Sequence, residues 1–246
     1  MSRHPRDRFI TVYGRKPVLE VLERDDLEVA RVFVARRTRG GLVDEILAAA
    51  ARRGVEVERL DAKQVSRISR RPKQDQGVAA DVEAPAMDAL TSWLERHSHR
   101  DAVLLALDHV TTPANVGMIL RTATVLGLGG VVLPRRGAPE IGPLVVKASA
   151  GYAYRARVLR CATIEEGLAE LSDARFTIYG LSDRGEADLG AAPLERRAVL
   201  VLGNETEGIA AARPHIDRWL RIPTASEGDS LNVACAAAIA AFVATR

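Results

Sequence analysis

Ile222-Pro-Thr-Ala-Ser-Glu-Gly-Asp-Ser-Leu-Asn-Val-Ala-Cys-Ala-Ala-Ala-Ile-Ala-Ala-Phe242 is the stretch on which the fold turns. A short apolar strand ends at Ile222-Pro223, and a polar loop with Gly228 and Asp229 follows. Ser230-Leu-Asn-Val233 then opens a helix made almost wholly of small residues. Alanine at that density fills little core by itself; it lets a second backbone approach closely. The Ser230 hydroxyl and the Asn232 amide stand where a helix N-terminus presents unpaired N–H groups. They can cap the helix or hold a polar ligand beside it. The stretch alone does not choose between the two.

Upstream, Val199-Leu-Val-Leu-Gly-Asn-Glu-Thr-Glu-Gly-Ile209 is an apolar strand that stops at Gly203, with Asn204 and Glu205 at its end. Gly208 permits close approach or a positive φ. Thr206–Ala212 is predicted as the next helix, whose dipole favours a carboxylate at its start. Further back, Leu107-Asp-His-Val-Thr-Thr-Pro-Ala-Asn-Val-Gly-Met-Ile-Leu-Arg-Thr-Ala-Thr-Val-Leu126 reads as a strand, a turn at Pro113 and a helix. Asn115 and Gly117 fall at the start of that helix, at the carboxyl edge of a sheet, where α/β folds bind ligands. Arg121 follows Asn115 by six residues, which is roughly 120° around a helix. The two share a pocket only if Asn115 lies in the first turn and the arginine reaches across. Taken by itself, Arg121 reads as a solvated surface residue.

The rest of the chain alternates helices and strands. A basic arm over residues 1–8 precedes a front domain over 9–83. In that domain, a helix starts at Tyr13-Gly14, and strands are predicted at Val29–Val34, Val55–Leu60 and Gln76–Val82. Helices are predicted at Leu42–Arg53 and from a cap at Asp61 to Ile68. Glu83-Ala-Pro-Ala-Met87 interrupts the pattern, so residues 84–100 are assigned as a linker and first helix. Residues 101–246 carry near-continuous apolar strands separated by helices, which indicates a parallel sheet covered on both faces.

Composition sets the broad class. With 246 residues, 47% hydrophobic and 27% charged, the chain is expected to be globular. No apolar run reaches a membrane span, and the first residues lack the apolar core of a signal peptide. Cys161 and Cys235 have no thiol near them in sequence, so no disulfide or zinc knuckle is suggested and a reducing cytoplasm is expected. No metal cluster, Ser-His-Asp order or phosphate loop is visible. Residues 1–82 hold 18 Lys+Arg against 13 Asp+Glu, whereas the remainder holds 17 against 19. A basic front suggests an anionic partner such as RNA or DNA. Nearly all the cations are arginine, however, and GC-rich codons give the same bias.

Set in order, N-x-G-x-x-x-R at Asn115–Arg121, L-G-N-E-x-x-G at Leu202–Gly208 and I-P-x₆-S-L-N-V at Ile222–Val233 resemble the SpoU (TrmH-like) family of SPOUT methyltransferases. Val145-Val-Lys-Ala-Ser-Ala-Gly151 is similar to a further segment of that family. The front domain resembles its substrate-binding module through Tyr13-Gly14, Val18-x-Glu20 and Gln76-Gly-Val-Ala79. The resemblance covers nearly all of residues 9–246. It implies a small, ribosomal-protein-like α/β RNA-binding domain followed by a SPOUT α/β domain with a C-terminal trefoil knot, a rare exception to unknotted topology.

The resemblance also implies an activity. S-adenosylmethionine would be held around Leu202, Gly203, Asn204, Ile222, Pro223, Ser230 and Leu231, in a homodimer whose site draws on both subunits. The reaction would be methyl transfer to a ribose 2′-hydroxyl of structured RNA, with ribosomal RNA (23S) preferred and tRNA second. Arg121 would lie nearest the reacting hydroxyl, with Asn115, Glu205, Ser230 and Asn232 shaping the site. Arginine stays charged to a pKa above about 12, so a phosphate clamp suits it better than an ordinary base.

Two positions depart from the family pattern: Thr112 stands where an acidic residue is usual, and Thr224–Asp229 replaces a Met-Gly-rich turn. A Rossmann enzyme is disfavoured, because Gly127-Leu-Gly-Gly130 lies at a helix end and has Val132 at its final position. A ribosome-binding protein without catalysis is a rival of another class. Arg121 and Glu205 argue against it, and calorimetry with S-adenosylmethionine separates the two.

Overall fold

The structure, a computed structural model, describes residues 8–246 except 85, 99, 192 and 226–229. Most of the predicted basic arm and of the departing 224–229 loop therefore lies outside the described residues. The chain divides into two compact units, one formed mainly by residues up to 85 and the other mainly by residues from 86 onward.

The front unit runs β1 (Phe9–Tyr13), α1 (Arg15–Leu22), β2 (Val29–Ala35), α2 (Gly41–Arg52), β3 (Val57–Leu60), α3 (Ala62–Ser69) and β4 (Val78–Glu83). Its sheet has the order β1-β4-β2-β3, with β2 and β3 parallel and β4 antiparallel to both its neighbours. Asp61 begins α3 as expected, its backbone N–H donating to Gln64 Oε1 at 2.9 Å.

The rear unit runs β5 (Asp88–Ala89), α4 (Leu90–Arg96), β6 (Ala102–Leu107), α5 (Pro113–Val125), β7 (Gly130–Pro134), α6 (Pro143–Ala148), β8 (Val158–Cys161) and α7 (Ile164–Asp173). It continues with β9 (Thr177–Leu181), β10 (Ala187–Asp188), β11 (Arg197–Leu202), β12 (Arg218–Arg221) and α8 (Val233–Ala244). The sheet order is β10-β12-β9-β11-β6-β7-β8-β5, and every pairing is parallel.

Strand pleating explains the apolar runs. Leu104, Ala106, Val132, Val199 and Val201 pack with Leu90 and Trp93 of α4 and Leu168 and Leu171 of α7. Their pleat neighbours Leu105, Leu107, Leu133, Leu200 and Leu202 face the other way and are equally buried. There α8 packs on β6 and β11, and α5 on β7 and α8. Ala237, Ala240 and Ala241 of α8 are fully buried, so the small residues sit where elements approach closely. Gly117 of α5 does the same, since a Cβ there would lie 2.6 Å from the Val145 carbonyl oxygen.

The topology locates a crevice. From β6 the chain lays β7 and β8 on one side, then places β9 on the other and later inserts β11 between β9 and β6. The direction of winding reverses beside β6, and ligands of open α/β sheets bind at the carboxyl ends of strands at such a point.

Two local expectations are corrected. Thr206–Ala212 is not a helix but a tight loop ending in a 3₁₀ turn at Arg213–His215. The last helix begins at Val233, with Asn232 as its cap, so Ser230 precedes it. Both cysteines are free thiols. Burial pushes the Cys161 thiol up to about 12, keeping it protonated as a packing residue. Among the described residues no helix is long and apolar enough to cross a membrane.

Candidate active site

Asp108, the residue after β6, organises the carboxyl edge. It is fully buried. Its Oδ2 accepts from the backbone N–H groups of Ala210 at 2.8 Å and Ala212 at 3.0 Å. Its own N–H donates to Leu202 O at 2.9 Å, and its Oδ1 lies 2.7 Å from His109 Nδ1. These bonds take the donors that a helix over 206–212 would direct into its own ladder. The loop is closed from within by Asn204, whose Oδ1 accepts from Thr206 N at 2.8 Å and Glu207 N at 2.7 Å. Gly203 is required by proximity, because a Cβ there would stand 2.0 Å from the Gly208 carbonyl carbon.

Three predicted residues converge on this edge from three parts of the sequence. Asn115, in the first turn of α5 and 5% exposed, donates through Nδ2 to Glu205 Oε1. Asn232 Nδ2 donates to Asn115 Oδ1 at 3.2 Å and to the same Glu205 oxygen at 3.5 Å. Asn232 Oδ1 caps α8, accepting from Ala234 N at 2.9 Å and Cys235 N at 3.4 Å. One amide thus caps the helix and ties Asn115 to Glu205, although neither Asn232 nor Asn115 is itself in the lining of the neighbouring cleft. Thr112 occupies the N-cap position of α5 and makes no side-chain capping bond there.

Beside this triad is a cleft of about 450 Å³ whose lining includes Leu202, Gly203, Asn204, Glu205, Ile222, Ser230 and Leu231. Pro223, predicted with them, is not in the lining. Sequence reading missed a second wall, Leu181-Ser-Asp-Arg184 at the carboxyl end of β9. Its signal was present: an apolar strand ending in a polar turn, as at Asn204. Asp108 was also missed as a brace.

Arg121 stands elsewhere. It is exposed, is not in the cleft lining, and its guanidinium lies 5.8 Å from the Tyr152 ring centroid. Arg155 lies 4.9 Å from the same ring, within cation–π range. Ser149 fixes the turn that carries the ring, its hydroxyl donating to Val146 O at 2.9 Å and accepting from Ala153 N at 3.1 Å. Tyr152 and Arg155 were not singled out from sequence, because their link to Arg121 is made only by the fold.

A winding reversal crowned by Asn, Glu and Asn from three ordered blocks defines an α/β enzyme with a sheet-edge ligand cleft. Residues 102–242 match the SpoU rRNA Methylase family, and residues 11–87 match the domain described as RNA 2'-O ribose methyltransferase substrate binding. The chain belongs to the SpoU rRNA methylase family.

A 23S rRNA (guanosine-2'-O-)-methyltransferase RlmB from Xylella fastidiosa is 33% identical, covering 96% of this chain and 95% of the relative. An uncharacterized tRNA/rRNA methyltransferase from Mycolicibacterium gilvum is 30% identical over 97% of this chain and 77% of its own. Among solved structures, an AdoMet-bound rRNA methyltransferase from Sinorhizobium meliloti aligns with a TM-score of 0.64 and 26% identity, over 96% of this chain and 87% of that one.

The cleft's chemistry fits S-adenosylmethionine. Leu181, Leu202, Ile209, Trp219 and Leu231 offer apolar surface for a flat base. Asp183, Glu205 and Glu207 bring carboxylates suited to ribose hydroxyls and to a cationic sulfonium amino acid.

Proposed function

We propose that this protein is an S-adenosylmethionine-dependent methyltransferase acting on the ribose 2′-hydroxyl of a guanosine in 23S ribosomal RNA. The observation that carries the reading is the hydrogen-bonded meeting of Asn115, Glu205 and Asn232, which lie up to 117 residues apart. Full-length similarity to an RlmB relative supports ribosomal RNA as the substrate.

Bound S-adenosylmethionine supplies a methyl group already activated on sulfonium, so this chain's residues must align the nucleophile and manage its proton. Glu205 Oε1 is engaged by two amides, which hold the carboxylate still and leave Oε2 for a bound ligand. Arg121 is assigned the phosphate and the developing alkoxide, with Tyr152 holding the guanidinium in place. Because Arg121 lies outside the cleft lining, we assign a site completed by a second copy of the chain. Exposed Met118 and Val125 of α5 and Ile239 and Phe242 of α8 offer apolar surface for that homodimer.

The C-terminal segment is assigned to a trefoil knot, supported by family membership and by the buried alanine face of α8. The domain assignment is a substrate-binding domain over 9–83, a linker and first helix over 84–100, and a methyltransferase domain over 101–246. A ribosomal RNA substrate and two free thiols support a cytoplasmic location.

The test is mapping of 2′-O-methyl groups in total RNA with and without the gene. Loss of one guanosine methyl from 23S rRNA is expected; loss only from tRNA overturns the ribosomal reading. Ala240→Leu on α8 should weaken S-adenosylmethionine binding at least as much as it lowers the melting temperature, and unchanged affinity would count against the knot.

A further inference from the structure

The front unit treats its cations in two ways. Three are neutralised by ion pairs: Arg8 pairs with Glu83, Arg24 with Asp26, and Arg31 with Glu56 and Glu58. Two loops differ. Residues 36–40, after β2, carry Arg36, Arg37 and Arg39; residues 70–77, between α3 and β4, carry Arg71 and Lys73, and all five are exposed. Among the described residues none of these five pairs with a carboxylate. Asp44, Glu45 and Asp61, the acidic residues at the starts of α2 and α3, form no ion pair with them either.

The loops lie side by side and are built to hold their shape. Ala35 N donates to Gly77 O at 2.8 Å, joining the start of one loop to the end of the other. The one carboxylate within them, Asp75, is 4% exposed and turned inward. Its Oδ2 accepts from Ser66 Oγ at 2.9 Å and Ser69 Oγ at 2.8 Å, and its Oδ1 from Gly77 N at 2.9 Å. The acid braces the loop instead of cancelling its charge. Arg39 Nη1 donates back to the carbonyls of Arg36, at 2.5 Å, and Thr38, at 3.0 Å. That fixes the guanidinium without neutralising it. Arg15 joins the same end: its N–H donates to Gln76 Oε1 at 3.1 Å.

We infer that this end of the front sheet, formed by the 36–40 and 70–77 loops, is the surface that grips the phosphodiester backbone of the RNA substrate. The inference rests on the proposed RNA methyltransferase reading and adds where the front unit takes hold. Un-neutralised guanidinium groups on a braced scaffold match phosphate geometry. Each contact releases condensed counterions, so affinity falls with salt by a slope of roughly 0.7–0.9 per phosphate engaged.

The test uses the full chain, in vitro transcribed 23S rRNA and binding isotherms across a salt series. Arg36→Gln/Arg37→Gln/Arg39→Gln is compared with Arg8→Gln/Arg24→Gln/Arg31→Gln, which removes the same charge from the neutralised positions. The loop variant should bind at least about tenfold more weakly at 0.1 M salt, with a slope shallower by about two. The control should stay within about threefold of wild type, and Arg36→Lys/Arg37→Lys/Arg39→Lys should keep most of the salt slope. Equal losses in the loop and control variants, or an unchanged slope in the loop variant, would overturn the surface. A wild-type protein that binds S-adenosylmethionine but not rRNA would instead sink the substrate reading.

Discussion

The two units deploy polar residues in opposite ways. The rear unit gathers a few into one interlocked group, where Glu205 Oε1 serves both Asn115 and Asn232 and Asn232 also caps α8. The front unit spreads four arginines and a lysine over two loops, with no carboxylate among the described residues paired to any of the five. Interlocked groups fail together, whereas separated charges add. Single substitutions should therefore be severe in the rear and mild in the front, and the contrast breaks if either half behaves like the other.

The largest effect is expected at Arg121. Removing a group that stabilises developing charge typically costs about 10²–10³ in turnover. Arg121→Ala should lose methyl transfer on that scale while S-adenosylmethionine affinity stays near normal, because the arginine does not line the cleft. Isothermal titration beside a methyl-transfer assay checks this. A matching loss of cofactor affinity would place Arg121 in the cleft after all.

Asp108→Ala comes next. It strands the N–H groups of Ala210 and Ala212 behind the cleft wall. Leaving a buried donor unsatisfied costs about 1–3 kcal/mol, so a loss of roughly 2–4 kcal/mol in unfolding free energy is expected. Cofactor affinity should fall in the same variant, since the 203–212 loop loses its anchor. Stability loss with normal cofactor binding would show that the loop closes through Asn204 alone.

What the sequence did and did not reveal follows from where the decisive partners lie. The apolar runs at Ala102–Leu107 and Arg197–Leu202 were legible because both faces are covered, which removes alternation. Asn115 and Glu205 were legible as polar residues beyond such runs and Asn232 as a residue at a helix start, but only the ordered motifs that resemble the family joined the three into one site. The 206–212 segment was misread as a helix because its local pattern says nothing of Asp108, about a hundred residues earlier, which takes its donors. The Tyr152 ring beside Arg121 was invisible for the same reason. Two-residue strands such as β5 and β10 are too short to leave a period.

In the front unit, single substitutions such as Arg37→Gln should weaken rRNA binding by no more than about threefold, reducing the salt slope by up to about 0.9. Two such changes should multiply. A single variant that abolishes binding would mean that one cation makes a specific contact of the interlocked kind.

The smallest effect concerns Asp81 of β4, which accepts from Thr11 Oγ1 at 2.7 Å. Burial raises its pKa above the usual carboxylate value, outweighing the Thr11 bond and the nearby Arg31 charge. The folded state therefore binds this proton more tightly than the unfolded chain. Stability is favoured below the ordinary pKa of 3.8 and declines as pH rises through the raised value. Asp81→Asn keeps an oxygen for Thr11 and carries no charge to bury, so it should melt about 1–3 °C higher at pH 7. Below about pH 3, where Asp81 is protonated in both states, the two proteins should melt together. A variant less stable at neutral pH would show that Arg31 and Thr11 draw more from the carboxylate than burial costs it. Asp81 would then join Asp75 as a brace of the front unit.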